Sequence, residues 1–512
     1  MATSGSAVRQ EAGGAGPEAA PLPGFAAGPV ISAAVALAAL LAAFSGRYGY
    51  HRDELYFLAA GRHLAWGYPD QPPFVAVVAR LMSAIAPGSL VALRLPSAVA
   101  AAALVVLTGL IARELGGGRT AQGLAAVSIA VTPVALGSGH LLSTTTFGLP
   151  AWALAGWLII RILRTGADRL WLAVGLVTGA GLFDSDLIAF LLSAVVVGML
   201  VAGPRERLRS PWLYAGGALA LAMWAPYLAW QASNGWPELA VARSIASGGS
   251  GTSAPRWELV PYQLLLAGFV APIWVAGLVR LLRGPALRWC RALGVAFIVL
   301  AVVFTIAGGK PYYLFGMTPV LLAAGAQPAV DWIGRGRRRL RAGLLTAAVA
   351  LSLTALPVVL PVVPVGDVHK TGIVALNYDA GETIGWPAYV REIAGVYRSL
   401  PPAQRASAIV LASNYGEAGA VLRFGPADGL PGAYSGHNGF WYWGPPPAWA
   451  TSAVAVGFGR GTLASFCGTL RLAAHLNNDL GVHDDEQGAP VWVCSALRGS
   501  WASIWPSLKS FG

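Results

Sequence analysis

The residues best suited to chemistry are concentrated in one segment near the start of the chain. The segment 48–73 contains the ionisable side chains His51, Arg52, Asp53, Glu54, Arg62, His63 and Asp70. A carboxylate held among such neighbours can accept a proton during a reaction, and arginines can bind an anionic substrate. An acid at a helix N-terminus complements the helix dipole by about 0.3–1 kcal/mol, which accounts for only one of these groups. We therefore predict that the segment has a catalytic or binding function.

This segment follows a long apolar run in a chain that is poor in charge. Of the 512 residues, 56% are hydrophobic and 11% are charged, and the mean hydropathy is +0.60. Ordinary soluble domains contain about 25% charged residues. Apolar runs of about 20 residues, the length of a membrane-spanning helix, recur along the chain. The composition predicts a polytopic α-helical membrane protein, in which ionisable groups beside the hydrocarbon are costly and usually functional.

The net charge of +12 reflects membrane topology and does not indicate a nucleic-acid partner. The basic residues fall in short clusters between apolar runs, where orientation rules place them at the cytoplasmic face. Residues 1–27 are rich in Ala, Gly and Pro and lack the basic start of a secretory signal, so we expect a disordered cytoplasmic tail. The expected location is the cytoplasmic membrane, with the N-terminus inside.

The apolar runs predict eleven transmembrane helices in a membrane module over residues 28–365. They cover about 28–44, 90–112, 120–136, 143–160, two short helices within 170–202, 212–231, 261–282, 292–307, 314–333 and 342–363. All arginine clusters then lie on one side of the membrane. The first outer loop (45–89), the turn with Asp184 and Asp186, the loop with Arg243, and the segment 308–313 lie on the other side.

Residues 366–512 have the composition of a soluble domain, with short β-like runs at 408–412, 453–456 and 491–493. We predict a small extracytoplasmic α/β domain. Cys467 and Cys494 both lie in this domain, where an oxidising compartment favours a disulfide between them. Its aromatic loop, 434–443, either stacks on a sugar or packs against the domain or the membrane surface. The acids at 484–486 are expected in a solvated loop.

Three motifs in the first loop carry a family resemblance. The sequence Tyr-His-Arg-Asp-Glu-Leu-Tyr-Phe at 50–57, with Gly-Arg-His-Leu-Ala-Trp-Gly-Tyr at 61–68 and Asp-Gln-Pro-Pro at 70–73, resembles the first outer loop of bacterial family 39 glycosyltransferases. These are relatives of protein O-mannosyltransferases and of the lipid A aminoarabinose transferase. Gly-Gly-Lys-Pro-Tyr-Tyr at 308–313 resembles a second motif of that family. The resemblance covers most of residues 28–330.

This resemblance implies a GT-C fold, a polyprenyl-phosphate-linked sugar as donor, and transfer with inversion to an acceptor at the outer membrane face. The acceptor is a protein, a glycan or a lipid. By position, Asp53 matches the essential aspartate of the family's first loop, and Glu54 matches its partner. Asp53 is then the expected base for the acceptor hydroxyl. Glu54 orients Asp53, binds the sugar, or joins Asp53 in holding a divalent cation, Mg²⁺ or Mn²⁺.

Other polar residues are expected to bind the substrates. Lys310 is the first candidate for neutralising the lipid phosphate. The remaining candidates are Arg52, Arg62, His63, Asp184, Asp186, Arg243, Tyr312 and Tyr313. For Lys310, Tyr312 and Tyr313 the alternative is an interfacial role, because lysines and tyrosines commonly anchor helices at the membrane surface.

Two positions depart from the pattern of the family that the sequence resembles. Relatives commonly carry an acid where Gly148 stands, and a lysine-containing stretch where Asp184 and Asp186 stand. Either the site has been re-wired, with one of these aspartates replacing the missing carboxylate, or ordinary activity has been lost. A non-catalytic sugar-binding homologue is therefore one alternative. A transporter or lipid flippase is the other, because acids and interrupted helices within a membrane also mark transport paths.

Overall fold

The computed structural model describes residues 22–512, so residues 1–21 of the predicted tail over 1–27 lie outside the described residues. The described end of that tail is ordered, because the Ala26 N–H donates to Gln122 at 2.8 Å and α1 begins at Ala27. The membrane module is helical. Its α-helices are α1 Ala27–Phe44, α2 Arg52–Ala60, α3 Phe74–Ile85, α4 Leu90–Glu114, α5 Arg119–Ala130, α6 Pro133–His140, α7 Thr144–Thr165, α8 Leu170–Leu182, α9 Leu187–Ala202, α10 Pro211–Ser233, α11 Pro237–Ala246, α12 Leu259–Ala267, α13 Ala271–Arg283, α14 Arg291–Ala307, α15 Thr318–Gly334, α16 Arg338–Ser352 and α17 Leu356–Val359.

Within the described residues, seven helical stretches are long and apolar enough to cross a membrane, and α5 with α6 makes an eighth if that bent pair is one span. The seven are Ala27–Phe44, Leu90–Glu114, Thr144–Thr165, Arg256–Arg283, Pro285–Ala307, Pro311–Gly334 and Arg338–Val359. The prediction of a polytopic membrane protein is confirmed. The count of eleven is not, because α8 and α9 are shorter than a full span and the aromatic residues of α10 lower its apolar character.

The helices are interrupted at two places, and the first has a clear local cause. Thr132 caps α6 and Pro133 occupies its first turn, so the backbone bends by 58° between α5 and α6. Residues 183–186 separate α8 from α9. The predicted hairpin of two short helices within 170–202 is therefore correct.

The basic residues gather at one end of the helical bundle. Arg164 binds Glu114 at 2.7 Å, and Arg207 binds Asp168 at 3.1 Å. Arg280 donates to the Leu115 carbonyl at 3.3 Å. These contacts join the ends of α4, α7 and α13 and the short 3-10 helix at 205–209, as expected if the clusters share one face of the membrane. The segments with the candidate site residues lie at the other end.

The C-terminal region contains a five-stranded sheet with helices around it. The helices are α18 Ile373–Leu376, α19 Tyr378–Gly381, α20 Trp386–Arg398, α21 Pro402–Ala406, α22 Tyr415–Phe424, α23 Gly439–Tyr442, α24 Arg460–Ala464 and α25 Trp501–Ile504. The strands are β1 Ala408–Ala412, β2 Ala433–Ser435, β3 Ser452–Val456, β4 Cys467–His475 and β5 Pro490–Leu497, in the order β2-β1-β3-β5-β4. Strands β2, β1 and β3 are parallel, and β5 runs antiparallel to β3 and β4. The three predicted strands and the predicted Cys467–Cys494 disulfide are present.

A buried ion pair fixes α2 against the membrane bundle. Both oxygens of Glu54 accept hydrogen bonds from Arg94 of α4, each at 2.8 Å. The His51 N–H donates to one Glu54 oxygen at 2.9 Å, and the Leu142 N–H donates to the other at 3.0 Å. Glu54 and Arg94 are both almost fully buried. The start of α2 is therefore attached to α4 and to the turn before α7.

The opposite side of α2 packs against α22 of the C-terminal domain. Gly419 lies so close to Leu55 that a Cβ at position 419 would come within 2.9 Å of the Leu55 backbone. Tyr56 packs with Tyr415 at a ring-centroid distance of 5.0 Å. Helix α2 is thus enclosed between the membrane bundle and the C-terminal domain.

Replacing one partner of the buried pair is expected to destabilise the protein. The substitution Glu54→Gln leaves the Arg94 guanidinium buried without a counter-charge, which costs about 3–5 kcal/mol. Thermal unfolding of the purified protein in detergent measures this loss. The matched control is Asp367→Asn, which breaks the exposed pair with Lys370 and is expected to leave stability almost unchanged, because water screens an exposed pair. Equal effects of the two substitutions would contradict the role given to Glu54.

Candidate functional site

The candidate site is built around Asp53 in the first turn of α2. One of its oxygens, Oδ1, accepts a hydrogen bond from the Tyr415 hydroxyl at 2.8 Å. The other, Oδ2, lies 3.8 Å from Nδ1 of His51. The side chain of Asp53 is 39% exposed, whereas that of its neighbour Glu54 is buried. Asp53 is thus held in place on one side and accessible on the other.

Tyr415 reaches Asp53 from the C-terminal domain and is itself tightly constrained. Its ring stacks on His437 at a centroid distance of 5.0 Å with an angle of 16° between the planes. The Arg52 guanidinium lies 5.0 Å from the centre of the ring. Tyr415 is the first residue of α22. Asn414 caps this helix, so the cap fixes the position of Tyr415. The hydroxyl is therefore positioned before any substrate binds.

His51 lies between two carboxylates. Its Nε2 is 3.5 Å from Asp379 of α19, and its Nδ1 is 3.2 Å from the Asp53 backbone nitrogen. Burial lowers the pKa of His51, but Asp53, Asp379 and Glu54 outweigh that effect and raise it to about 9. In the neutral ring Nδ1 accepts the Asp53 N–H, and in the protonated ring both nitrogens face a carboxylate. His51 therefore links Asp53 to Asp379 in either state.

Lys310 belongs to the same polar region. Burial raises the pKa of Asp379, but the hydrogen bond and charge of His51, with the charges of Lys310 and Arg52, bring it below its ordinary value. The Lys310 ammonium also lies 5.9 Å from the centre of the Tyr312 ring. Tyr313 packs edge-on against Tyr312 at 5.3 Å. The segment 308–313 thus meets the first loop at one end of the bundle, as the sequence predicted.

Arg52, a predicted substrate-binding residue, contacts the C-terminal domain. Its guanidinium is bound to Asp485 at 2.7 Å, to Glu382 at 3.2 Å and to the Tyr378 hydroxyl at 2.7 Å. Only 9% of the residue is exposed. Arg52 therefore attaches α2 to the C-terminal domain. The acids at 484–486 are not all solvated, as was expected, because Glu486 is buried and Asp484 accepts a hydrogen bond from the Tyr389 hydroxyl at 2.7 Å, whereas Asp485 stays exposed.

The Glu54 carboxylate is not free to coordinate a metal ion. Both Glu54 oxygens already accept hydrogen bonds from Arg94 and from backbone N–H groups. Residues 22–512 contain no group of three or more His, Cys, Asp or Glu side chains placed to hold a metal ion. The prediction that Asp53 and Glu54 share Mg²⁺ or Mn²⁺ does not fit this donor set. Of the roles considered for Glu54, only that of orienting Asp53 agrees with the structure.

The other basic candidates, Arg62, His63 and Arg243, form no hydrogen bond or ion pair with Asp53 within residues 22–512. Arg62 follows the end of α2 and lines a separate groove. His63 stacks on Trp443 at 4.5 Å with an angle of 12° between the rings. The aromatic loop 434–443 therefore packs against the first loop, a contact that neither of its two interpretations included. Arg243 is exposed on α11.

Asp184 lies beside Gly148, the position that lacks the expected acid. A Cβ at residue 148 would be 3.5 Å from Oδ2 of Asp184. Asp184 is 2% exposed, and neither of its carboxylate oxygens has a hydrogen-bond partner within the described part of the chain. The turn is fixed by the Phe74 N–H, which donates to the Phe183 carbonyl at 2.9 Å. A carboxyl group therefore occupies the space next to Gly148.

Asp186 forms part of a second polar cluster at the same turn. It accepts a hydrogen bond from the Trp224 indole at 3.0 Å, while the Tyr227 hydroxyl donates to Glu238 at 2.8 Å. Burial, and then the adjoining Glu238 carboxyl, raise the pKa of Asp186 to about 9. The pair therefore holds a proton at neutral pH. Asp186 directly precedes α9 and Glu238 lies in the first turn of α11, so two separate segments meet at this end of the bundle.

Sequence reasoning missed the residues that the C-terminal domain brings to the site. Tyr415 and Asp379 stand more than 300 positions from Asp53 in the chain, and no motif spacing relates them to it. The one available signal was an imbalance. The first loop carries His51 and Arg52 at a buried helix start, and buried charges require partners from elsewhere in the chain.

Comparisons with known proteins agree with the resemblance seen in the sequence. The family model described as dolichyl-phosphate-mannose-protein mannosyltransferase matches residues 70–230. The crystal structure of ArnT from Cupriavidus metallidurans bound to undecaprenyl phosphate matches with a TM-score of 0.57 and 15% identity, over 91% of this chain and 98% of that one. The apo structure of ArnT gives a TM-score of 0.57, 16% identity and the same coverage. A search of curated sequences found no match.

These findings establish the fold. The chain has the GT-C fold of a multi-span membrane protein with a small C-terminal sheet domain, and it resembles the aminoarabinose and protein mannosyltransferases.

The pH dependence of stability is expected to report on Asp70, which accepts hydrogen bonds from Tyr56 at 2.9 Å and Asn438 at 3.1 Å. Burial raises the pKa of Asp70 to about 7, from 3.8 in the unfolded chain, despite these bonds. Between these two values the folded protein retains a proton that the unfolded chain has lost. The contribution of Asp70 to stability is therefore complete below about pH 4 and falls as the pH rises to 7.

The measurement is the midpoint of thermal unfolding of wild type and Asp70→Asn at several pH values between about 4 and 8. The difference between the two proteins should change across this range in favour of the variant at higher pH. If the amide group changes the unfolding midpoint by the same amount at every pH, the pH dependence of the difference is unaffected. Parallel curves would contradict a raised pKa at Asp70.

Proposed function

We propose that this protein is a membrane glycosyltransferase that moves a sugar from a polyprenyl-phosphate donor to an acceptor hydroxyl, with Asp53 as the base. The reaction takes place at the outer face of the cytoplasmic membrane, where the C-terminal domain also lies. The observation that carries the proposal is the geometry of Asp53, which is partly exposed, oriented by Tyr415 and close to the cationic His51. The GT-C fold, shared with an ArnT structure that contains undecaprenyl phosphate, supports a lipid-linked donor.

The chemistry follows from the charges at the site. Asp53 removes the proton from the acceptor hydroxyl as its oxygen attacks the anomeric carbon. The bond between that carbon and the phosphate oxygen breaks, and the polyprenyl phosphate leaves as an anion. A single displacement of this kind inverts the anomeric carbon. Lys310 is suited to stabilise the departing phosphate, because an ammonium forms strong charge-assisted hydrogen bonds with phosphate oxygens.

Asp184 supports the re-wired site over the inactive one. It places a carboxyl group beside Gly148, where relatives commonly carry an acid, so the position of the carboxyl group is retained although the residue that bears it has changed. An unpartnered, buried carboxyl is costly, and a substrate with hydroxyl groups would provide the missing donors. Asp186 and Glu238 add a second pair of carboxyls for sugar hydroxyls. Tyr312 and Tyr313 contribute the adjoining aromatic surface.

The first test of this function is the substitution Asp53→Asn. Asparagine has the same shape and can still accept the Tyr415 hydrogen bond, but it cannot act as a base. Transfer of radiolabelled sugar from undecaprenyl-phosphate-linked pentoses and hexoses in liposomes should fall by about 10²–10⁴-fold. The acceptor is first identified by mass spectrometry of envelope glycans, proteins and lipids from cells with and without the protein.

The control for this test is Asp367→Asn, an exposed aspartate outside the site, which should transfer normally. Normal turnover by Asp53→Asn would exclude Asp53 as the base. Movement of the lipid-linked sugar across liposomes without bond formation would favour a flippase. Binding without turnover in the wild-type protein would favour a non-catalytic homologue.

The second test is Tyr415→Phe, which removes the hydroxyl that orients Asp53 and keeps the ring. A hydrogen bond to a charged group contributes about 1.5–3 kcal/mol, so kcat should fall about tenfold or more while the KM for donor remains unchanged. Tyr397→Phe is the matched control, because its hydroxyl donates to the Arg405 carbonyl within the C-terminal domain. An unchanged kcat in Tyr415→Phe would show that the hydroxyl does not position the base.

A further inference from the structure

A groove of about 520 Å³ lies between α2, α3, the turn 86–89 and α22. We call it the arginine groove because Arg62, Arg80 and Arg423 line it. The three arginines come from separate parts of the chain: the loop after α2, helix α3, and helix α22 of the C-terminal domain. The proposed transfer reaction makes no use of this groove.

The arginine groove faces away from Asp53. Its floor includes Leu55, Leu58 and Ala59 of α2. Because each residue of an α-helix advances by about 100°, these side chains project between about 140° and 240° away from Asp53 around the helix axis. A molecule in the groove would therefore contact the side of α2 opposite the proposed base. The groove is a separate site.

The charge in the groove is uncompensated. No aspartate or glutamate lines it. None of the three arginines forms an ion pair within residues 22–512. Arg423 donates one hydrogen bond to the Gly88 carbonyl at 3.2 Å and lies 5.3 Å from the centre of the Tyr50 ring, which leaves other donors of its guanidinium free. Three like charges around one groove favour an anion with several oxygen acceptors.

The groove also adjoins exposed apolar surface on α3 and α4. Leu81 and Ile85 of α3 are 53% and 73% exposed, and they alternate with the lining residues Arg80 and Met82 along the same helix. Leu95 of α4 is exposed just beyond the lining residue Leu93. Helix α4 is one of the membrane spans and begins at this turn. The ligand can therefore extend apolar chains along α3 and α4 while its head group enters the groove.

We propose that the arginine groove binds the phosphate head group of an anionic phospholipid whose acyl chains lie against α3 and α4. A phosphate accepts bidentate hydrogen bonds from guanidinium groups, and the exposed apolar residues supply the contact for the chains. Because the lipid bridges α3 and α22, it joins the membrane module to the C-terminal domain. The proposal does not depend on the proposed transfer reaction.

The test compares lipid retention by the purified full chain in neutral detergent. Native mass spectrometry counts bound phosphatidylglycerol and phosphatidylcholine, and thermal unfolding measures the stabilisation that each lipid gives. Wild type should retain phosphatidylglycerol in preference to phosphatidylcholine. The double substitution Arg80→Gln with Arg423→Gln should weaken retention of phosphatidylglycerol about tenfold for each arginine removed and should leave phosphatidylcholine unaffected.

The matched control replaces two exposed arginines outside the groove, Arg460→Gln with Arg471→Gln, and should behave like wild type. The charge-conserving pair Arg80→Lys with Arg423→Lys should give intermediate retention, and it serves as the folded comparison if the glutamine variant is unstable. Equal loss in the control, or no loss in either groove variant, would overturn the proposal. Inorganic phosphate that reproduces the stabilisation without lipid would also overturn it, since the groove would then be a site for free phosphate.

Discussion

The position of the candidate base depends on the buried pair between Glu54 and Arg94. Removing two charges from water is expensive, and the pair persists because backbone N–H groups at the start of α2 and before α7 complete the hydrogen bonding of the carboxylate. This fixes the rotation of α2 about its axis. Successive residues of a helix project about 100° apart, so Arg52, Asp53 and Glu54 point in three directions. Arg52 binds the C-terminal domain, Asp53 enters the site, and Glu54 binds the membrane bundle.

The C-terminal domain completes the site that the membrane module begins. Tyr415 orients Asp53, Asp379 pairs with His51, and Asp485 neutralises Arg52. Each of these contacts satisfies a charge that the first loop would otherwise bury without a partner. The aromatic side chains of α22 and of the 434–443 loop pack against the first loop. The two parts of the chain therefore form one catalytic unit in the proposed enzyme.

The features that the sequence predicted depend on local or compositional signals. Apolar runs located the membrane helices, the basic clusters located one face of the bundle, short apolar runs located three strands, and the domain's composition led to the Cys467–Cys494 pair. The helix count was less reliable, because α8 and α9 are apolar enough but too short to be recognised as full spans. The sequence could not show that Arg52 and Glu54 have different roles from Asp53. The three charged residues are adjacent, and their roles depend on partners that lie far away in the chain. The loss of one acid at Gly148 and the gain of two at the turn suggested Asp184 or Asp186 as the replacement, and Asp184 is the one that lies beside Gly148.

The contact between Asp53 and Tyr415 spans 362 positions of the chain, and this separation has a consequence for biosynthesis. The ribosome completes the membrane helices and the first loop long before it reaches α22. During that interval α2 has its ion pair with Arg94 but lacks every partner that the C-terminal domain supplies. The site is therefore assembled last, after the helices have entered the bilayer. Nascent or prematurely ended chains would carry Asp53 without the hydroxyl that orients it, so catalysis would begin only in a finished molecule.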